Sequence, residues 1–246
     1  MNIYSTIQIG DYHTNQCEDA LIIKNIGSDR LLIAVMDGCT TAMESHFAST
    51  LVSKILRKIA TELGYRELYE KSLDHLNADF ELQEILKSLF KELLSIKNQL
   101  LLDEKELLTT LIIVLYHKKE KQGIALAVGD GLVCINGELF NFNQDNKPDY
   151  LGFHLKEDFD SWYQNQTQKI FFNTIKDISI ATDGIFTFSK MKSTDHKAQI
   201  DPVDYLLMDK MEDTSDEMLN LRMKKLENQY GLKPTDDIAI IRITNE

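Results

Sequence analysis

Four short acidic motifs fall where apolar runs begin or end: Cys17-Glu18-Asp19-Ala20, Met36-Asp37-Gly38, Thr182-Asp183-Gly184 and Thr235-Asp236-Asp237. Taken singly, an aspartate in such a place starts a turn, and the glycine after it supplies freedom in φ. Taken together, they bring carboxylates to the rim of a core, where like charges repel unless something positive lies among them. Hard divalent cations fill that need, because they take oxygen ligands and keep several waters of their own. Paired ions of this kind, about 3.5–4 Å apart, acidify a bound water and stabilise phosphoryl charge. The chemistry that Asp37, Asp183 and Asp236 suggest is therefore metal-assisted hydrolysis of a phosphate ester. A glycine after Asp37 is expected to let the chain turn so that a backbone carbonyl joins the ligands.

The elements that must position these motifs are legible in outline. Leu21-Ile22-Ile23 and Leu31 to Val35 read as strands of a hairpin, separated by Asn25, Gly27 and Ser28. Ala48, Leu51, Val52, Ile55, Leu56, Ile59, Ala60 and Leu63 recur at helical spacing, a pattern that Gly64 is expected to stop. A second helix is predicted over about 79–102, its stripe running from Leu82 through Leu93 to Leu100. Burial against a sheet explains that stripe better than a partner-binding face does. Strand-like runs follow at 111–116, 123–128 and 132–135, the last two separated by Gly129-Asp130-Gly131, itself a hairpin signal. Further strands are expected at 169–173, 178–182 and 238–243, with helices near 203–208 and 215–229. Hairpins interrupted by two long helices predict an α+β fold, and apolar runs without alternation predict strands covered on both faces, those beside the four acidic motifs being too apolar for an edge.

Composition narrows the function classes. The chain has 246 residues, a 43% apolar fraction, and neither a Gly/Ser-rich linker nor an internal repeat, which predicts a single domain over 1–246. The formal net charge of −12 argues against nucleic-acid or acidic-membrane partners, whose phosphates need positive surface. No window approaches the ~18 apolar residues of a membrane span, and no signal-like start is visible. Three cysteines, Cys17, Cys39 and Cys134, form no CxxC pattern; free thiols in a reducing, cytoplasmic setting are expected. Cys17 and Cys39 flank acidic motifs and would be redox sensitive if exposed, although a small buried apolar role is the plainer reading.

The order Glu-Asp, Asp-Gly, Gly-Asp-Gly, Thr-Asp-Gly, Asp-Asp resembles the metal-dependent type 2C serine/threonine protein phosphatases, with two helices between the second and third motifs. The resemblance runs from about Gly10 to Ile243, and Leu108-Thr109-Thr110-Leu111 is similar to the family's strand start after its second long helix. It implies a four-layer α-β-β-α sandwich of two mainly antiparallel sheets flanked by helices. It also implies a binuclear Mn²⁺ or Mg²⁺ centre, with a third metal position, that hydrolyses phosphoserine or phosphothreonine in a protein substrate by metal-activated water. Carried over motif by motif, Asp37 would bridge two ions and the Gly38 carbonyl would bind one of them. Glu18 would support that ion, Asp183 and Asp236 would bind the other, and Asp130 would stand near the third position. Asp19 would act from behind the ligands, on the catalytic side. Asp236 rather than Asp237 is the family's ligand, and residues 184–200 lie where the family carries a flap.

One departure is informative. Where the family often has a phosphate-gripping Arg, four residues before Glu18, this chain has Thr14. The nearest replacement is His13, able to donate to phosphate or to protonate a leaving oxygen, although a His in a polar segment is more often a surface residue. With Cys17 and Cys39, His13 suggests a divergent bacterial branch. Two further readings stay open: a regulatory module with weak catalysis, which the missing Arg motivates, and a hydrolase of small phosphate esters. No P-loop or Rossmann glycine pattern favours the latter.

Overall fold

The computed structural model describes every residue except 43, 70–76, 145–147, 192–199, 210–214 and 246. In chain order its strands are β1 (Asn2–Gln8), β2 (Ala20–Ile26), β3 (Arg30–Met36), β4 (Leu111–His117), β5 (Gln122–Val128), β6 (Gly131–Ile135) and β7 (Glu138–Phe142). They continue with β8 (Lys169–Asn173), β9 (Asp177–Ala181), β10 (Phe188–Lys190), β11 (Leu232–Pro234) and β12 (Ile238–Thr244). The helices are α1 (Ser45–Tyr69), α2 (Ala78–Leu100), α3 (Phe159–Gln164), α4 (Pro202–Leu207) and α5 (Met218–Tyr230).

Ten strands form two five-stranded sheets, β1-β12-β9-β6-β7 and β2-β3-β4-β5-β8, and every pairing within them is antiparallel. Alternate residues of β3 explain why the strand is apolar throughout. Leu32, Ala34 and Met36 pack toward α1 and α2, while Leu31, Ile33 and Val35 pack toward the other sheet. β12 does the same from the opposite side, with Ile238 and Ile240 toward α4 and α5 and Ala239, Ile241 and Ile243 toward the first sheet. Three apolar layers thus separate four structural ones, α1/α2, sheet, sheet and α4/α5. That is the α+β sandwich expected of the sequence, because a strand buried on both faces must sit between two apolar partners.

Several local expectations are corrected. Gly129-Asp130-Gly131 is no hairpin: β5 belongs to one sheet and β6 to the other, so the tripeptide carries the chain across the sandwich. Its glycines, at φ 92° and 136°, lie where a Cβ would strike Asp149 and Thr110 on one side and Ile112 and Ala181 on the other. Gly64 does not stop α1, which runs on to Tyr69; it lets the helix lie over the Gly27 turn. Leu100 ends the α2 stripe in solvent instead of in the core. β2, read as too apolar for an edge, is an edge strand whose free face is shielded by α1. β1, which buries only Tyr4 and Thr6, and β7, whose residues are exposed or half-buried, carried too weak an apolar pattern to be found.

Candidate metal centre

The strand registers bring the acidic motifs to one end of the sandwich. Ala20 pairs with Met36, so one step further Asp19 faces Asp37. Leu132 pairs with Ala181 in the other sheet, which puts Asp130 opposite Asp183 two steps on. Gln8 pairs with Ile238, and beyond that pair Gly10 lies against the backbone of Asp236 so closely that a Cβ would sit 2.2 Å from its carbonyl carbon. Thr182 Oγ1 then donates to Asp19 Oδ2 at 2.6 Å and ties the ends of the two sheets together.

Backbone contacts fix the Asp37 motif. Thr110 Oγ1 accepts from the Asp37 N–H at 3.1 Å, while Thr109 Oγ1 (2.7 Å) and the Thr110 N–H (2.9 Å) donate to the Asp37 carbonyl. This is the physical use of the Thr-Thr pair that opens β4. Gly38 is needed for close approach and not for a turn: its φ is ordinary, and a Cβ would lie 2.0 Å from the Ser45 carbonyl oxygen. Its N–H donates to the Glu18 carbonyl at 3.2 Å. Among the described residues nothing donates to the Gly38 carbonyl itself.

Electrostatics single out this end. Asp19 is buried, and its Oδ1 finds no donor among the described residues. Burial lifts its pKa to about 8, with Asp183 and Asp237 adding to the effect of burial. Asp37 is raised well above the usual carboxylate range by burial first, then by Asp19 and Asp183. Two carboxylates in contact must share a proton or a cation. Asp183 rises to about 7 through burial, Asp130 and Asp236, and Asp130 is raised by burial and by Asp236. The Asp130 Oδ1 is also buried without a donor. Glu18 is better satisfied, its Oε2 accepting from Thr40 Oγ1 at 2.8 Å.

The structure thus brings together Asp19, Asp37, Asp130, Asp183 and Asp236, each of which perturbs at least one of the others, with Glu18 adjoining Asp19 in the chain. Among the described residues, no three His, Cys, Asp or Glu side chains stand close enough together to hold a metal ion as they are placed. An open arrangement is what a cation that retains its own waters requires, and the donorless buried oxygens fit it.

Sequence reasoning set Asp237 aside in favour of Asp236 without finding its role, and it missed Tyr150. Asp237, 2% exposed, accepts from the Gly10 N–H at 2.8 Å and the Glu18 N–H at 2.5 Å, binding three distant segments together. Its neighbour Asp236 keeps its side chain 44% exposed at the site. Burial in the fold separates the two in the same sense as the motif does. Tyr150 lies near Cys39 and within electrostatic reach of Asp37 and Asp130, and burial followed by Cys39, Asp37 and Asp130 raises its pKa. The Leu151 N–H donates to the Thr109 carbonyl at 2.9 Å and anchors it. No motif marks it in the sequence.

His13 lies at the edge of the cluster. Its Nδ1 is 3.0 Å from Asp237 Oδ2, without the alignment of a hydrogen bond, and its Nε2 is 3.6 Å from Asp236 Oδ1. Burial lowers its pKa, but Asp237, Glu18 and Asp236 together outweigh that and raise it. Thr14 is exposed beside it. Cys39 and Cys134 are buried, and burial first, then Asp19 and Asp237, push the Cys17 thiol up, away from thiolate reactivity. Of the segment 184–200, residues 192–199 lie outside the described residues; its start is held by the β10–β11 ribbon, which joins the chain after Asp183 to the chain before Asp236.

The sequence pattern of protein phosphatase 2C matches residues 10–228. The chain belongs to that family. No curated protein matches it in sequence. Among solved structures, a bacterial serine phosphatase aligns over 100% of this chain and 99% of its own, with a TM-score of 0.60 at 14% identity. The structure of the phosphatase domain and a fragment of the regulatory domain of SpoIIE from Bacillus subtilis aligns over 98% of this chain and 62% of its own, with a TM-score of 0.58 at 14% identity. RsbX, solved in complex with magnesium, covers 98% of this chain and 94% of its own, with a TM-score of 0.54 at 16% identity. At these identities the likeness establishes the shared fold. Among the described residues no helix is long and apolar enough to cross a membrane.

Proposed function

We propose that this family member hydrolyses phosphoserine or phosphothreonine in protein substrates with the help of two divalent cations, Mn²⁺ or Mg²⁺. The observation that carries the reading is the gathering of Asp19, Asp37, Asp130, Asp183 and Asp236 at one end of the sandwich, with two buried carboxylate oxygens that find no donor among the described residues. Asp37 and the Gly38 carbonyl would hold one ion with help from Glu18, Asp183 and Asp236 would hold the other, and Asp130 would serve a third position. When bound, the ions supply an acidified water and stabilise the phosphoryl charge. Asp19, held by Thr182, orients Asp37 from behind. His13 presents a proton donor beside Asp236 for the phosphate or the leaving oxygen. RsbX, of the same fold, binds magnesium, which supports the choice of hard ions. A soluble cytoplasmic enzyme is the setting in which we read this activity.

The test combines turnover with binding. Purified protein is given p-nitrophenyl phosphate and a phosphothreonine peptide, with Mn²⁺, with Mg²⁺ or with chelator, beside Asp37→Ala and Asp183→Ala. Calorimetry follows the metal separately. We expect metal-dependent turnover that both substitutions abolish, and metal binding that both weaken. Activity that persists in chelator would sink the metal mechanism. Metal binding without turnover would favour a regulatory module, and turnover of the small ester alone a small-ester hydrolase.

A further inference from the structure

Next to Glu18 lies a cavity of about 600 Å³, lined on one side by residues 12–16 and on the other by Glu44, Ser45 and His46 at the entrance to α1. This volume falls within the range of pockets that hold small organic ligands, and a short stretch of peptide is of that size. Its walls come from the same two segments that carry Glu18 and Gly38, so whatever fills it lies beside the metal centre.

The lining has a one-sided charge. It contains two carboxylates, Glu18 and Glu44, and neither Lys nor Arg. The imidazole of His13 already faces Asp236 and Asp237, and Lys233 is paired with Asp11. Only His46 is left on the positive side. Tyr12 stands at the cavity with its side chain 80% exposed, while its N–H is fixed to the Thr235 carbonyl at 3.0 Å. An exposed aromatic ring and the exposed Glu44 carboxylate lining one cavity offer contacts for a guanidinium or ammonium group. The net charge of −12 extends the same field outward.

We infer that this cavity receives the residues flanking the phosphorylated side chain and selects a Lys or Arg among them, with Glu44 and Tyr12 as its contacts. The inference rests on the phosphoprotein reading and names the class of protein substrate within it: phosphoserine or phosphothreonine in a basic stretch.

The experiment uses three phosphothreonine peptides that differ only in flanking charge, with Arg, Gln or Glu on each side. Binding is read by fluorescence anisotropy on the Mn²⁺-loaded Asp183→Asn trap, and kcat/KM on the wild type. Binding alone decides the inference, so loss of all turnover would sink the phosphatase reading without touching it. We expect the basic peptide to bind about tenfold more tightly than the acidic one, since exposed ion pairs each contribute up to ~1 kcal/mol. Glu44→Lys in the trap should reverse the order, and Tyr12→Ala should weaken the basic peptide alone. Equal binding of the three peptides, preference for the acidic one, or a uniform loss in Glu44→Lys would overturn the assignment.

Discussion

Strand β3 meets charge at both of its ends, Arg30 buried and Asp37 half-buried, and the two ends are built differently. At its start, Arg30 lies between Glu81 and Glu67, and His117 Nε2 meets the second oxygen of Glu81 at 2.9 Å. There the acids of α1 and α2 are matched by bases of β3 and β4, and every buried charge has a protein partner. At the other end, Asp37 faces Asp19 with Asp183 close by, and among the described residues no Lys or Arg answers them. Buried acids matched from within the chain form a staple between helices and sheet. Buried acids left unmatched mark a place where something else must supply the positive charge.

The largest effect should come from the unmatched end. Asp37→Ala should lower kcat by about a thousandfold, because the stabilisation of phosphoryl charge is worth several kcal/mol. Its metal-free unfolding midpoint should stay level or rise, since a buried like-charge contact is removed. Steady-state kinetics and urea denaturation in chelator check both halves. A clear loss of metal-free stability would make this end a staple as well.

Glu81→Ala should do the reverse. Removing the acid leaves Arg30 buried with a half-exposed Glu67, and we expect a loss of about 3 kcal/mol by urea denaturation. The kcat of the protein that remains folded should be unchanged.

Within the Asp236–Asp237 pair the same contrast recurs on a smaller scale. Asp237→Ala strands the N–H groups of Gly10 and Glu18 and should cost about 1–3 kcal/mol in chelator. Asp236→Ala should leave that stability near the wild-type value and instead weaken Mn²⁺ binding in calorimetry. If the two substitutions behaved alike, the division of labour drawn from their burial would be wrong.

The smallest effect lies away from both ends. The hydrogen bond to Asp149 raises the pKa of His154 above its ordinary 6.5, against burial, with Glu157 assisting. A raised folded-state value contributes stability that is complete below the unfolded value and is lost as pH rises through the folded one. Because both acids are exposed to solvent, about a few tenths of a kcal/mol is expected. His154→Gln should therefore lower Tm slightly near pH 5.5 and not at all near pH 9.

Much of this was legible in local pattern. The stripes of α1 and α2, the β2–β3 hairpin, and strands β8 and β12 fell within a few residues of their places, because apolar periodicity is set by neighbours in the chain. So did the positions of Asp37, Asp183 and Asp236 at strand ends. The rest depended on contacts between distant residues. Nothing near Gly129-Asp130-Gly131 tells a hairpin from a crossing between sheets; the answer lies in Thr110, Asp149 and Ala181, which press on its two glycines.

By itself, then, the sequence determined which residues would stand at the ends of buried strands, that those residues were acidic, and that the strands needed cover on both faces. Tertiary structure decided which acids meet. It set Asp19 against Asp37 by strand register, and gave Asp237 to backbone N–H groups 219 and 227 residues away while leaving Asp236 open. It also brought Tyr150 within electrostatic reach of two motifs. The physical reason is that charge type and periodicity are properties of a short stretch of chain, whereas the burial and pairing of a charge are properties of whatever the fold places beside it.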